Sequence, residues 1–333
     1  GYACWWGVPS LPETDEEDLS FSNFITGENG VLRYWLKKGI RGWRLDVADE
    51  LPDSFLDRIR LAIKAEGRDN YLLGEVWEDA TNKISYGSRR RFLRGRQLDS
   101  VMNYPLASAI VNYVKGGNSR DLVDTVLDIL ENYPPQAVKL LMNHIGTHDT
   151  ARILTVLGKE NGQAGDRAWQ SAQKLTDEEY SRGVRLLKLA AVLQFTLPGV
   201  PSVYYGDEAG MQGYGDPFCR AGYPWGKENT ELLDFYKKLG TFRRSSPVFA
   251  SGEFEPIYAN FGDIVYIRRK GKNAVLVAVN RWHEPSEVTV PDEFKAAKPI
   301  FGNKPTDGII SLPSESFAIL EIQLRQSMKL KNE

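Results

Sequence analysis

Histidine is scarce in this 333-residue chain, with three copies, and so are cysteine, with two, and methionine, with four. The two cysteines, Cys4 and Cys219, are too few for a disulfide framework and show no metal-ligand spacing; they read as incidental thiols. Neither sign of charge is in excess. The 42 Lys and Arg residues face 44 Asp and Glu, a net charge of −2, which removes the basic footprint of a nucleic-acid binder. Long apolar runs are missing too. The longest, Val184 to Tyr205, is broken by Lys188, Gln194, Pro198 and Pro201, so it is no transmembrane helix. No charged segment followed by an apolar one marks a signal peptide, and a cytoplasmic location is the expectation.

What is present has the balance of a soluble globular protein, 26% charged and 42% hydrophobic. The length suits two domains, or one large domain and an appendage. Aromatics reach 11%, with 8 Trp and 15 Tyr, a content that suits stacking of flat ligands or sugars and suits a large core equally. The opening stretch Gly1-Tyr-Ala-Cys-Trp-Trp reads as the middle of a domain.

Residues 1–27 read as a loop with a solvated acidic run, Glu13 to Asp18. Helical spacing follows over Gly30–Lys38. Strand-like runs at Ile40–Val47, Tyr71–Trp77, Ser100–Tyr104, Val138–His144 and Val200–Tyr205 then alternate with helical segments at Asp53–Ala65, Leu106–Val114, Leu122–Asn132, Asp177–Leu193 and Thr230–Arg243. That alternation predicts a parallel sheet covered by helices over 28–246. Five strands fit a doubly wound sheet, whereas a (β/α)8 barrel needs eight, and periodicity does not choose between them. From 247 to 333 the β-like runs Glu253–Asn260, Ile264–Arg269, Ala274–Asn280, Ser286–Val290 and Ser316–Gln323 have no helix between them and predict an antiparallel β-sandwich. The tail Lys329–Glu333 is expected to fray.

Three strand ends carry chemistry. In Gly42-Trp-Arg-Leu-Asp, alternation along a strand puts Arg44 and Asp46 on one face at the C-terminal end, where α/β proteins carry ligands. A guanidinium there keeps the carboxylate ionised and fit to act as a nucleophile; a helix-capping Asp46 with Arg44 as its surface partner reads equally well on this segment alone. In Leu72-Leu-Gly-Glu-Val-Trp-Glu, Glu75 ends an apolar strand, where a carboxylate is costly unless used or paired, Gly74 permits close backbone approach and Trp77 offers a flat face. In Leu140-Leu-Met-Asn-His-Ile-Gly-Thr-His-Asp, His144 and His148 stand four apart, a metal spacing on a helix, but Gly146 argues against a helix. His144 reads as structural, and His148 beside Asp149 as a substrate contact. Crowded carboxylates split their pKa values, and a carboxylate nucleophile with a protonated acid roughly 5 Å away is what retaining glycoside hydrolysis needs.

The segment Gly42–Glu50, the Gly74-Glu-Val-Trp run and Thr147-His-Asp resemble signature regions of the α-amylase family of glycoside hydrolases, in the same order. Leu98-Asp-Ser-Val-Met-Asn-Tyr-Pro, Pro198-Gly-Val-Pro-Ser-Val-Tyr-Tyr-Gly-Asp-Glu-Ala-Gly and Asp216-Pro-Phe-Cys-Arg agree, and Val47-Ala-Asp-Glu50 is similar to the neopullulanase/cyclomaltodextrinase branch. The resemblance implies a (β/α)8 TIM-barrel architecture followed by an all-β domain, and a retaining hydrolase of α-glucans such as maltooligosaccharides, cyclodextrins or pullulan. It implies Asp46 as nucleophile, Glu75 as acid and base, and Asp149 as stabiliser of the oxocarbenium-like transition state. Arg44 would hold Asp46 ionised and His148 would bind sugar hydroxyls. Trp77, Glu78 and Glu50 would lie near the acceptor subsites, while Asp216 and Arg220 match a loop on the donor side or pair structurally. The family's first signature, an Asp followed four residues later by Asn-His, has no counterpart here. The matching strands are the fourth to the eighth, and residues 1–27 resemble the end of the domain inserted after strand three. The expectation is therefore a chain that needs an N-terminal part of the barrel for activity. No cofactor is implied, with calcium expected only through that N-terminal part. The expected partners are an α-glucan oligosaccharide and either a second copy or the complementary N-terminal part, with neither nucleic acid nor membrane. A 4-α-glucanotransferase and a non-catalytic binding subunit are the alternatives; an open-sheet nucleotide-binding protein lacks its Gly-rich phosphate loop.

Overall fold

A computed structural model of the chain describes residues 1–159 and 165–322. Gln323 and the tail Lys329–Glu333 lie outside the described residues. The chain forms two units, one of Gly1–Tyr104 with Asn132–Leu141, the other of Pro105–Glu131 with the chain from Met142 onward.

The first unit is built on three parallel strands, β1 (Gly42–Leu45), β2 (Tyr71–Gly74) and, after a small hairpin of β3 (Ile84–Ser85) and β4 (Ser88–Arg89), β5 (Ser100–Val101). Leu45 is level with Gly74, and Gly74 with Val101. The helix Asp53–Ala65 connects β1 to β2. Its Phe55, Leu56, Ile59, Ala62 and Ile63 are buried, an i, i+1, i+4, i+7, i+8 stripe that turns one face inward. Asp99, just before β5, locks helix to strands by accepting from Lys64 Nζ at 2.7 Å, Arg60 Nη1 at 2.9 Å and the Leu72 N–H at 2.9 Å. Within 1–27 the expected loop gives way to a helix at Leu19–Thr26. Asp18, the last residue of the acidic run, is its N-cap and accepts the Ser20 and Phe21 N–H groups at 2.9 and 3.1 Å.

The second unit contains two parallel strands, β6 (Met142–Asn143) and β7 (Val200–Pro201). The helix Asp177–Thr196 leads into β7, opened by a capping box of Thr176 and Glu179 and buried along its second half. Its Gln194 Nε2 donates to the carbonyl oxygens of Asn143 at 3.1 Å and Ser202 at 2.8 Å, and Asn143 Nδ2 donates to the Pro198 oxygen at 2.8 Å. Those three bonds fix the ends of both strands. After the helices Thr230–Ser245 and Val248–Ser251 the described residues form β-strands, broken by one 3-10 turn at Asp292–Phe294.

Strands β8 (Glu253–Asn260), β9 (Asp263–Lys270), β10 (Asn273–Asn280), β12 (Lys298–Phe301) and β14 (Ser316–Ile322) form an antiparallel sheet in the order β12-β14-β10-β9-β8, and β11 (Ser286–Thr289) pairs with β13 (Ile309–Leu312). The two sheets share one core, with Val265, Ile267, Leu276, Ala278 and Leu320 facing Val288, Ile310 and Leu312. Strands β12 and β13 add to the five runs legible in the sequence. Both are short, and β12 carries Pro299, which suits the edge position it occupies.

Candidate active site

The first cluster grows from the paired ends of β1 and β2. The ladder continues one step past both strands. The Glu75 N–H donates to the Leu45 oxygen at 2.9 Å and the Ala48 N–H to the Glu75 oxygen at 3.1 Å, which brings the residue after β1, Asp46, beside Glu75. Gly74 permits this close approach: a Cβ on it would stand 2.4 Å from Leu98 Cδ1 and 3.2 Å from Ala48 Cβ, so the buried Leu98 side chain would have to move. Arg44 projects toward both acids: its Nη1 donates to Asp46 Oδ1, and its Nη2 lies 3.0 Å from Glu75 Oε2. Val47 adopts φ 42°, a left-handed backbone that a β-branched residue rarely takes, and its N–H donates to Glu75 Oε2 at 2.9 Å.

Glu75 is buried, while the Asp46 side chain is 72% exposed. The second oxygen of Glu75, Oε1, accepts from Trp77 Nε1 at 3.2 Å and Tyr104 OH at 3.4 Å. These four groups are all donors to the carboxyl; to give a proton to a ligand, Glu75 must turn one oxygen away from them. Trp77 stacks on Tyr104 with ring centroids 4.3 Å apart and planes 13° apart, leaving its other face half-exposed.

Asp46, Val47 and Glu50 line an open cleft of about 730 Å³, whose opposite wall is formed by Trp5 and residues 10–14 and whose edge is Tyr86. Glu50 accepts from Trp6 Nε1 at 3.4 Å and from the Tyr86 hydroxyl, and that bond to the Glu50 carboxylate pushes the Tyr86 phenol up. Glu78 is exposed and is held by Lys83 Nζ at 2.6 Å, which also reaches Asp49 at 3.1 Å.

The second cluster lies in the second unit, after β6. Asp149 Oδ2 is 3.2 Å from His148 Nε2, and Oδ1 is 3.4 Å from Arg220 Nη2. Arg220 Nε is 2.8 Å from Asp216 Oδ1 and donates to the His148 oxygen at 3.1 Å, so Arg220 is shared between Asp216 and Asp149. The turn itself is closed by the Thr147 N–H donating to Thr150 Oγ1 at 3.1 Å and the Asp149 N–H donating to Thr147 Oγ1 at 3.2 Å. His144 is buried, and loss of solvent pushes its imidazole down to about 4, so it is neutral near pH 7.

The structure thus gathers Arg44, Asp46, Glu75, Trp77, Glu50 and Glu78 in the first unit, and His148 with Asp149 in the second. Sequence reasoning missed Tyr104, Met102 and Tyr86. Tyr104 and Met102, the latter with Sδ 3.7 Å from Arg44 Nη2, follow β5 at the two-residue spacing that Ser100 begins, a signal that could have found them. Among the described residues no group of three or more His, Cys, Asp or Glu side chains could hold a metal ion, and no helix is long and apolar enough to cross a membrane.

Parallel strands ending in carboxylates, joined by helices and followed by an all-β sandwich, define an α/β catalytic architecture with an appended β domain. Residues 16–237 match the family model described as "Alpha amylase, catalytic domain", and the chain belongs to that family. It is 33% identical over 326 residues to an amylopullulanase of Thermoanaerobacterium thermosulfurigenes, covering 87% of this chain and 17% of that protein. It is also 33% identical over 291 residues to a cyclomaltodextrinase of Geobacillus thermopakistaniensis, covering 85% and 44%. The type III pullulan hydrolase from Thermococcus kodakarensis superposes with a TM-score of 0.80 at 28% identity, covering 96% of this chain and 52% of that one. The chain therefore spans less than half the length of these curated relatives.

Proposed function

We propose that this chain is the acid-bearing part of a retaining hydrolase of α-glucans. The observation that carries the reading is the single guanidinium of Arg44 between Asp46 and Glu75 at the aligned ends of two parallel strands. An exposed carboxylate beside a buried one suits the two roles of retention. Asp46 attacks the anomeric carbon while Glu75 passes its proton to the departing glycosidic oxygen, whose bond to that carbon breaks. Water then attacks the glycosyl–Asp46 ester, with Glu75 taking back a proton. His148 and Asp149 hold the sugar hydroxyls, Trp77 and Glu78 serve the acceptor side, and the cleft past Glu50 takes the aglycone. The names of the relatives, a cyclomaltodextrinase and an amylopullulanase, support maltooligosaccharides, cyclodextrins or pullulan as substrates.

In this reading the three parallel strands of the first unit and the two of the second are the fourth to eighth of a TIM barrel, 28–246 is the barrel part and 247–333 the appended domain. Turnover then requires an N-terminal part of the barrel. The half-buried β1, which has one strand neighbour among the described residues, fits that requirement. The test uses the chain together with such a part: a 2-fluoro maltosyl donor should leave its sugar mass on the peptide that contains Asp46, and Asp46→Asn should abolish both labelling and turnover. Unchanged turnover in Asp46→Asn sinks the assignment. Fast hydrolysis of maltohexaose by the 333-residue chain alone sinks the requirement for the N-terminal part and leaves the chemistry standing.

A further inference from the structure

Arg152 and Asp207 form a charged pair shut away from solvent, each 1% exposed, and no step of the reaction above uses them. Their placement around the Asp149 turn singles them out. Arg152 follows Asp149 by three residues. Its Nη1 lies 3.2 Å from Asp207 Oδ1 and also donates to the Tyr205 carbonyl oxygen. Its guanidinium carbon stands 4.1 and 4.5 Å from the ring centroids of Tyr204 and Tyr205. The Arg152 N–H donates to the Gly213 oxygen at 2.9 Å. At the other end of the turn, a Cβ on Gly146 would sit 2.7 Å from Asp207 Oδ2, so the carboxyl packs directly on the backbone entering Thr147. Both ends of the turn therefore bear on one side chain, supplied by the segment after β7.

As a source of stability the pair is poor. Arg152 Nε and Nη2 and Asp207 Oδ2 have no hydrogen-bond partner among the described residues, and burial pushes the Asp207 carboxyl up to about 7 even against Arg152. A buried, incompletely bonded ion pair can often be replaced by apolar groups at no loss of stability. What this pair adds is placement.

We propose that Asp207 and Arg152 are positioning residues for Asp149. They clamp both ends of the 146–152 turn, so that the Asp149 carboxylate keeps one geometry toward His148 and Arg220. The consequence for catalysis rests on Asp149 acting in the proposed reaction; the clamp itself does not. The test is amide hydrogen exchange on Asp207→Asn, which keeps the shape of the side chain and removes its charge. The amides of 147–152 should exchange at least about tenfold faster, while those of β9 and β10 in the same unit keep their rates. Unchanged exchange in the turn overturns the proposal, as does an equal rise throughout the unit, which would mark a merely structural role. If Asp207→Asn does not fold, Arg152→Lys reads the same amides, because a lysine keeps the charge but not the planar fork that stacks on two rings and bridges two acceptors. Asp149→Asn, assayed for turnover, tests the functional reading separately: full activity there would remove the catalytic consequence and leave the exchange result intact.

Discussion

The guanidinium of Arg44 serves two carboxylates at once, and the residues around it decide what each acid can do. Glu75 has four donors on two oxygens, from Arg44, Val47, Trp77 and Tyr104. Trp77 has a double part, as donor and as stacking plate. Trp77→Phe keeps the plate and removes the donor. In the active form, about a fivefold fall in kcat with little change in KM is expected for the loss of one hydrogen bond, whereas Trp77→Ala should raise KM as well; steady-state kinetics on maltohexaose distinguishes them. His144 gives a prediction on stability. Burial pushes it down to about 4, while in the unfolded chain it takes its proton near 6.5. Between those values the folded state binds fewer protons, so stability attributable to His144 rises with pH across that window and is lost as pH falls toward 4, by about 3 kcal/mol in all. The Asp207 carboxyl, pushed up to about 7, slopes the other way. The comparison is therefore between His144→Gln and the unmodified protein at each pH: their urea midpoints should differ far more at pH 7 than at pH 4.5 in the variant's disfavour, and parallel profiles would refute the assignment.

At the scale of elements, the site is a product of strand ends and the helices that hold them. The helix Asp177–Thr196 begins with the Thr176–Glu179 box and ends near Gln194, which bonds the ends of both β6 and β7. Thr176→Ala should cost about 1 kcal/mol, read as a lower denaturant midpoint with an unchanged slope. Helices of this kind were legible from spacing. The span Asp53–Ala65 reaches two residues past each end of its apolar stripe Phe55–Ile63, and the helix from Asp177 begins where the acidic first turn follows Thr176. The helix at Leu19–Thr26 was hidden because Asp18 sits in an acidic run that reads as solvated surface, although a cap needs only one correctly placed oxygen. The strands β6 and β7 are two residues each, much shorter than the apolar runs that announced them. Past them the pairing continues by one bond, the Ser202 N–H donating to the Asn143 oxygen at 2.7 Å, and the remaining residues of those runs lie outside the strands.

At the scale of the molecule, Asp46 and Glu75 were legible as strand-end acids because a carboxylate just after an apolar strand is conspicuous in one dimension, whereas Asp149, six residues past β6, stood out through the Thr147-His-Asp run. The groups that condition them were not. Tyr104 and Val47 meet Glu75 from 29 and 28 residues away, and Asp207 reaches Arg152 across 55; such contacts leave no period or spacing behind. The scarcity of cysteine acquires a use here. Cys219 is buried with Sγ 3.2 Å from the carbonyl oxygen of His148, and once Cys4 is replaced by serine it is the sole thiol in the chain. A bulky thiol reagent then reaches that sulfur only when the contact between residues 218–220 and the His148 backbone opens, so the labelling of one atom becomes a clock for the parting of the Asp149 turn from the segment that carries Arg220, one that runs without substrate.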